Sequence, residues 1–191
     1  MPKNRNERLA ADYSEMMKIQ DRPYLSWIAV KGEPPYAEEY LLNIKIRTYV
    51  FKMKSGVCEV GAIKNCTVAV TLWPSYPYTA PYVKMLSMPP VFHPDWYSKG
   101  VYSPSQPWDP KLSLKDFIMR MLDTLRYDTR LIDTVTPANY KAMEWYMKNH
   151  DSSSLFPSDT VVLIENTPEE TSAAEKAAAT FNETVDIWRV H

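Results

Sequence analysis

The spacing of apolar residues changes along the chain, and each change predicts a different kind of element. Between residues 5 and 20, Leu9, Tyr13 and Met16 recur at helical spacing, which predicts an amphipathic helix that ends before Pro23. The stretches that follow are short and rich in β-branched and aromatic residues, which is typical of strands. The predicted strands lie at 25–30, 40–51, 66–73 and 82–86.

From residue 73 to residue 110 the chain contains nine prolines. Proline disrupts helices and central strands, so this stretch is predicted to be irregular outside the strand at 82–86, and its aromatic residues favour an ordered loop over a disordered one. Ser113 then caps a predicted helix, with Asp116 at the acidic position of a capping box. The apolar face of this helix is predicted to pack in the core, and a further helix begins near Pro137.

The character of the sequence changes after residue 150. The run DSSS indicates a linker, the run TVVLI at 160–164 indicates a short strand, and Thr167 with the proline after it indicates the start of a helix. We therefore expect a core domain at 1–150 and a C-terminal extension at 151–191. The order of helix, strands, irregular stretch and two helices within the core predicts an α+β fold.

Composition narrows the class of function. The 191 residues are 45% hydrophobic and carry a net charge of −1, which suits a soluble globular protein without bulk attraction to nucleic acid or to an anionic membrane. No apolar run is long enough to span a membrane, and the charged N-terminus is not a secretory signal. Cys58 and Cys66 are too few for a disulfide framework, and no Cys/His cluster has zinc spacing. We expect no cofactor, no metal and a cytoplasmic location.

A series of short motifs lies between the predicted strands and helices. In chain order it comprises Tyr76-Pro77-Tyr78, Pro81, His93-Pro94-Asp95, Gly100, Ser103, Trp108-Asp109-Pro110 and the helix from Ser113, followed later by Thr136-Pro137-Ala138-Asn139. With these motifs in this order, residues 5–150 resemble the core domain of ubiquitin-conjugating enzymes. In that family the catalytic cysteine lies three residues beyond such a glycine. The compact loop here is most similar to the divergent bacterial members.

The resemblance implies both a fold and a reaction. The fold is a UBC-like, four-stranded antiparallel meander with an N-terminal helix, a crossover helix and C-terminal helices. In the family, a ubiquitin-like protein is received from an activating (adenylating) enzyme as a thioester on the cysteine and is then passed to an amine. The implied partners are therefore a ubiquitin-like protein and its activating enzyme, and the implied class is a transferase.

Two departures from the family pattern affect the chemistry. Ser103 occupies the position of the catalytic cysteine, and Asp95 occupies that of the asparagine in His-Pro-Asn. A serine hydroxyl is a weaker nucleophile than a thiol and needs a base. A carboxylate can accept a proton, although it cannot donate the hydrogen bond that an amide donates. We predict that Ser103 carries the ubiquitin-like protein as an oxyester and that Asp95 assists.

Three alternatives stay open at this point. The chain could be a non-catalytic variant that binds a ubiquitin-like protein without bonding to it, because an oxyester is less reactive toward amines than a thioester. The serine could also have been introduced in place of a cysteine to trap a stable ester. Outside the conjugation class, a scaffold domain of the same fold could use its groove to bind a peptide.

The resemblance also assigns supporting positions. His93 is expected to hold the loop by hydrogen bonds more than to act as a base, and Thr136 borders the catalytic groove. The predicted partner contacts are Arg5 and Arg8 on the first helix for the activating enzyme, Tyr78 and Trp108 for a ligase, and Lys115, Arg120 and Asp123 for the ubiquitin-like protein.

Overall fold

The computed structural model describes residues 4–54, 57–152 and 155–156. Its elements are, in chain order, α1 (Arg5–Met17), β1 (Leu25–Lys31), β2 (Glu39–Ile44), β3 (Thr48–Lys54), β4 (Val57–Ile63), β5 (Cys66–Thr71), β6 (Tyr82–Met85), α2 (Leu114–Leu125) and α3 (Tyr140–Asn149). The strands follow one another along the chain and the helices lie before and after them. The predicted α+β class is confirmed.

Four strands form one antiparallel sheet in the order β1-β2-β5-β6. Every second residue of β2 and β5 is buried, because successive side chains of a strand point to opposite faces of the sheet. The register pairs Leu42 with Val68 and Val68 with Met85, so the buried side chains of neighbouring strands lie side by side. This face forms one core with Leu9 of α1 and Ile118 of α2.

The prediction of a single strand at 40–51 is wrong. The chain leaves the sheet after Ile44 and begins a separate antiparallel hairpin, formed by β3 and β4, at Thr48. Neither glycine nor proline marks the break, and Ile44 and Ile46 are both buried, so the alternating pattern continues across it. Strand β4 was not predicted, because its seven residues do not alternate regularly between apolar and polar types.

Helices α1, α2 and α3 each begin at a side-chain cap. The Asn4 side chain accepts a hydrogen bond from the Glu7 amide at the start of α1. At the start of α2, the Ser113 hydroxyl accepts from the Asp116 amide at 3.1 Å, which confirms the predicted N-cap. The cap of α3 is Asn139, so this helix begins slightly later than the sequence predicts.

The β3–β4 hairpin packs against α3 and the turn that follows α2. Tyr49, Tyr127, Met143 and Tyr146 are buried together there, and we call this group with Phe156 the aromatic cluster. The Tyr49 hydroxyl donates a hydrogen bond to the Leu155 carbonyl at 2.6 Å. The fold thus has a second, smaller core beside the main one.

The predicted strand at 160–164 and the predicted helix from Thr167 lie outside the described residues. The division into a core domain at 1–150 and an extension at 151–191 therefore stays a prediction. Among the helices of the described ranges, none is long and apolar enough to cross a membrane.

Candidate functional site

A small turn leads the chain to Ser103. Trp96 and Tyr102 form an isolated antiparallel bridge, and Gly100 lies in the turn between them with a φ of +80°. This left-handed backbone favours glycine. A Cβ at Gly100 would also lie only 3.0 Å from the Met85 side chain, so the glycine lets the turn pack closely against β6.

The backbone of Ser103 is fixed, whereas its hydroxyl is uncommitted. The Ser103 amide donates a hydrogen bond to the Asp95 carbonyl at 2.8 Å. The side chain is half-buried, and its hydroxyl makes no hydrogen bond with any residue in the described ranges. A hydroxyl in this state can react with, or donate to, a group that a partner brings.

Asp95 points into the protein. Its side chain is 1% exposed, and Oδ1 accepts a hydrogen bond from the Asp133 amide at 3.0 Å. Oδ2 is buried and has no hydrogen-bond partner among the described residues. Burial raises the pKa of Asp95 to about 7, and the nearby Asp133 charge adds to this effect against the opposing hydrogen bond from the Asp133 amide.

His93 is fully buried and holds the loop. Its Nδ1 accepts a hydrogen bond from the Asp95 amide at 3.0 Å, so the ring carries its proton on Nε2 when neutral. Burial lowers the pKa of His93 to about 3, although the Thr124 carbonyl favours the charged form. The ring is therefore neutral at physiological pH, and it lies 4.3 Å from the Tyr127 ring.

Asp133 connects the Ser103 loop to Thr136, the residue predicted to border the catalytic groove. The backbone amide of Asp133 donates to the Asp95 carboxylate. The Asp133 carboxylate accepts hydrogen bonds from the Val135 and Thr136 amides, both at 2.8 Å, and from the Thr136 hydroxyl at 2.6 Å. These hydrogen bonds lower the pKa of Asp133, so it is ionised at neutral pH. Thr136 is exposed, and its hydroxyl is directed to Asp133.

The structure thus brings His93, Asp95 and Ser103 together through backbone hydrogen bonds. It joins Thr136 to them through Asp133. The Asp95 carboxylate does not hydrogen-bond to the Ser103 hydroxyl, so neither Asp95 nor His93 is placed as a base in direct contact with it. The catalytic roles of these four residues stay predictions.

The predicted partner contacts occupy different environments. Tyr78 is 85% exposed, and the Trp108 ring nitrogen donates to the neighbouring Pro77 carbonyl at 2.6 Å. Lys115 pairs with Glu15 of α1 at 3.3 Å. Arg5 pairs with Glu38 of β2 at 2.7 Å, and Asp123 pairs with Arg126 one helical turn away at 3.0 Å. Arg120 is half-buried.

Arg8 is an exception, because it does not lie on an exposed face of α1. It is 6% exposed, and its guanidinium donates to the Asp12 carboxylate at 2.5 Å, to the Tyr76 hydroxyl at 3.0 Å and to the Pro110 and Leu112 carbonyls. The prediction that Arg8 contacts a partner is corrected on this basis. Its hydrogen-bonding capacity is used to join α1 to the chain that precedes α2.

Two residues of the site were not found from the sequence. Asp133 looks like an ordinary loop residue, and only the Asp-x-x-Thr spacing to Thr136 could have suggested a side-chain turn. Tyr127 follows α2 with a φ of +63°, and its hydroxyl donates to the Phe92 carbonyl at 2.5 Å. Both hold the backbone that leads to Ser103.

Comparison with known proteins agrees with this architecture. No protein-family model matches the sequence, and no curated protein does. A Toxoplasma gondii ubiquitin conjugating enzyme E2 domain of known structure superimposes with a TM-score of 0.50 and 16% identity, over 77% of this chain and 89% of that one. Human ubiquitin-conjugating enzyme E2 G1 has a TM-score of 0.47 and 15% identity, over 66% of this chain and 98% of that one.

At this level of identity the comparison concerns the fold alone. The chain has the fold of ubiquitin-conjugating enzymes, as predicted, with its four-stranded antiparallel sheet, N-terminal helix and later helices. In chain order, the β3–β4 hairpin is inserted between β2 and β5, which pair directly with each other in the sheet.

Proposed function

We propose that this protein is a transferase of the conjugating-enzyme type, which receives a ubiquitin-like protein on Ser103 and passes it to an amine. The fold supports this proposal. The observation that carries it is the Ser103 position itself. The hydroxyl follows a glycine turn docked on β6, its backbone is fixed by Asp95, and it is accessible and uncommitted.

The proposed reaction has two acyl transfers. In the first, the Ser103 oxygen attacks the thioester that joins the ubiquitin-like protein to its activating enzyme. An ester forms, the carbon–sulfur bond breaks, and the hydroxyl proton ends on the departing thiol. In the second, an amine attacks the ester carbonyl, an amide forms, the bond between the acyl carbon and the Ser103 oxygen breaks, and a proton from the amine returns to Ser103. Neither step requires a cofactor.

Asp95 is the proposed proton acceptor. With a pKa of about 7, about half of this carboxyl is ionised at neutral pH, and Oδ2 is not used by any described donor. A general base near the working pH is well matched to proton transfer. Because Oδ2 is buried in the free protein, the transfer requires either a turn of the side chain or a bridging water.

The partner surfaces belong to the same proposal. Tyr78 is the strongest candidate for a ligase contact, because it is the most exposed large residue of its loop and Trp108 fixes the backbone beside it. Arg5 remains a candidate for the activating enzyme. Lys115 remains one for the ubiquitin-like protein, and the half-buried Arg120 and Asp123 complete that face of α2.

One observation favours a second candidate function. No ionisable side chain in the described ranges hydrogen-bonds to the Ser103 hydroxyl, and His93 is neutral and turned inward. A protein with this arrangement could bind a ubiquitin-like protein without forming a bond to it. The test must therefore separate covalent from non-covalent binding.

The test is adduct formation with ubiquitin, and then with other ubiquitin-like proteins, in the presence of their activating enzymes and ATP. We expect an adduct that survives thiol reductant, which cleaves thioesters, and disappears in hydroxide, which hydrolyses esters. Ser103→Ala should abolish it, and Ser103→Cys should make it sensitive to reductant. Ser105→Ala is the matched control, because Ser105 is a nearby serine whose hydroxyl binds the Leu131 carbonyl.

The possible outcomes distinguish covalent transfer through Ser103 from non-covalent binding. An adduct that persists in Ser103→Ala, or that maps to Cys58, contradicts the assignment of the nucleophile. Tight binding without any adduct supports the non-catalytic function instead. If Asp95 is the base, Asp95→Asn should slow transfer by roughly 100-fold or more. An unchanged rate would exclude that role while leaving Ser103 in place.

A further inference from the structure

An apolar groove with a volume of about 510 Å³ lies between the β3–β4 hairpin, the segment before His93, and α3. Its floor includes Phe51, Val91, Phe92 and Trp145. Phe51 is 48% exposed although its ring lies 5.2 Å from that of Phe92. Aromatic rings that line an open groove of this size are typical of a surface that something covers.

The rim of the groove on α3 is charged. Lys141, Glu144 and Lys148 line it, and each is exposed. None of the three forms an ion pair or side-chain hydrogen bond with another described residue. Residues three, four and seven apart lie on one face of a helix, so both ammonium groups stand along the same edge. The groove therefore suits an apolar segment that carries carboxylates.

The described part of the chain ends beside this groove. Phe156 packs in the aromatic cluster, with its ring 5.5 Å from that of Trp145 and 4.8 Å from that of Tyr127. Trp145 therefore contacts Phe156 and also lines the groove. Four extended residues span at most about 14 Å, so a segment that begins at residue 160 can reach the groove from Phe156.

The sequence beyond Phe156 has the required composition. Residues 161–164 are four consecutive apolar residues, Val-Val-Leu-Ile, with Asp159 before them and Glu165 after them. No lysine or arginine occurs from 157 to 175. The apolar run matches the floor of the groove, and the carboxylates that flank it match the lysines on its rim.

We propose that residues 160–165 of the same chain occupy this groove, with the apolar run on the aromatic floor and the flanking carboxylates near Lys141 and Lys148. The proposal is independent of the chemistry at Ser103. It gives the C-terminal extension a binding site on the core. It also places that segment beside Asn139, which lines the groove. The backbone amide of Asn139 donates to the Pro94 carbonyl at 2.9 Å, in the loop before Ser103.

The test is zero-length carbodiimide cross-linking of the full-length protein, followed by peptide mass spectrometry. The reagent joins a carboxylate to an amine only where the two are in contact. We expect Asp159 or Glu165 to be joined to Lys141 or Lys148. An equal mixture of ¹⁴N- and ¹⁵N-labelled protein should give cross-links within one isotope only, which distinguishes a segment bound to its own chain from one bound to a second copy.

The deciding variant is Val162→Asp with Leu163→Asp, which removes the apolar contacts and keeps the carboxylates that react. Its cross-linking yield should fall about tenfold or more, because burial of these two side chains is removed. The matched control is Ala173→Asp with Ala174→Asp, which adds the same charge farther along the tail and should leave the yield unchanged. Both variants should keep the far-ultraviolet circular dichroism of the native protein.

Three results would overturn the proposal. An equal yield in the Val162 and Leu163 variant would mean that the contacts arise from random encounters of a tethered segment. Cross-links between the two isotopes would assign the groove to a second copy. No cross-link to α3 would leave the groove to another protein. None of these results bears on adduct formation at Ser103, so failure here and failure of the proposed function are distinguishable.

Discussion

Substitution of Asp95 by asparagine tests the internal position of this side chain most directly. The carboxyl is 1% exposed, one oxygen accepts a single amide hydrogen bond, and the other has no described partner. Such a site favours the neutral acid over the carboxylate, since burial disfavours charge. Asparagine has nearly the same shape, keeps an acceptor for the Asp133 amide and cannot ionise.

The sign and size of the effect follow from the raised pKa. Well below pH 4 the carboxyl is protonated in both the folded and unfolded states. Between about pH 4 and pH 7 the unfolded chain loses this proton and the folded protein keeps it, so this group lowers stability as pH rises. Above about pH 7 the folded protein is ionised as well, and this group lowers the stability no further. A pKa of about 7 against an ordinary value of 3.8 corresponds to at most about 4 kcal/mol.

We therefore expect Asp95→Asn to be more stable than the native protein by about 1 kcal/mol at pH 4.5 and by about 2–4 kcal/mol at pH 7.5. The free energy of unfolding is measured by urea titration at several pH values, and the variant is compared with the native protein at each. The comparison cancels the titration of all other groups. Asp21→Asn is the matched control, because it makes the same substitution at an exposed aspartate.

A difference between Asp95→Asn and the native protein that stays constant within about 0.5 kcal/mol from pH 4.5 to pH 7.5 would refute this reasoning. It would mean that the carboxylate is solvated or paired in solution. The same variant separates stability from catalysis, since we expect it to be more stable and slower at neutral pH. A slower rate could not then be ascribed to unfolding.

Two further substitutions test the supports of the site. Gly100→Ala should destabilise the protein by about 1–3 kcal/mol, because it strains a left-handed turn in a crowded position, whereas Gly61→Ala should cost little; equal losses in urea unfolding would contradict this account. Arg8→Met should cost about 3–5 kcal/mol, because it leaves the Asp12 charge buried beside Tyr76. The double variant with Asp12→Asn should recover more than about 1 kcal/mol in the same assay, and strictly additive losses would argue against the pairing.

Much of the fold could be predicted from local signals in the sequence. The capping pair of Ser113 and Asp116 marked the start of α2, and the proline-rich stretch marked the irregular chain between β6 and α2. The order of motifs led to the fold that the comparison with the Toxoplasma gondii domain supports. These features depend on residues that are close together in the chain.

The features that the sequence did not reveal depend on contacts between distant residues. Arg5 and Arg8 lie three positions apart on α1, yet only Arg8 is buried, because Tyr76 and Leu112 lie against that part of the helix. The direction of the Asp95 carboxylate is set by the amide of Asp133, thirty-eight positions away. Local spacing carries no information about such partners.

The β3–β4 hairpin has a consequence for how this fold can vary. Ile44 and Cys66 are directly opposite each other in the sheet, so residues 45–65 depart from and return to neighbouring points. The Cα atoms of Ile44 and Cys66 are separated by only about 5 Å, as in any antiparallel pair, and a short turn could join these two residues. The exposed surface of the hairpin can therefore diverge while the sheet keeps its place, provided that Tyr49 and Val50 keep their backbone contacts with the segment before His93. This lets one scaffold acquire new contacts on the hairpin without changing the strands of the sheet.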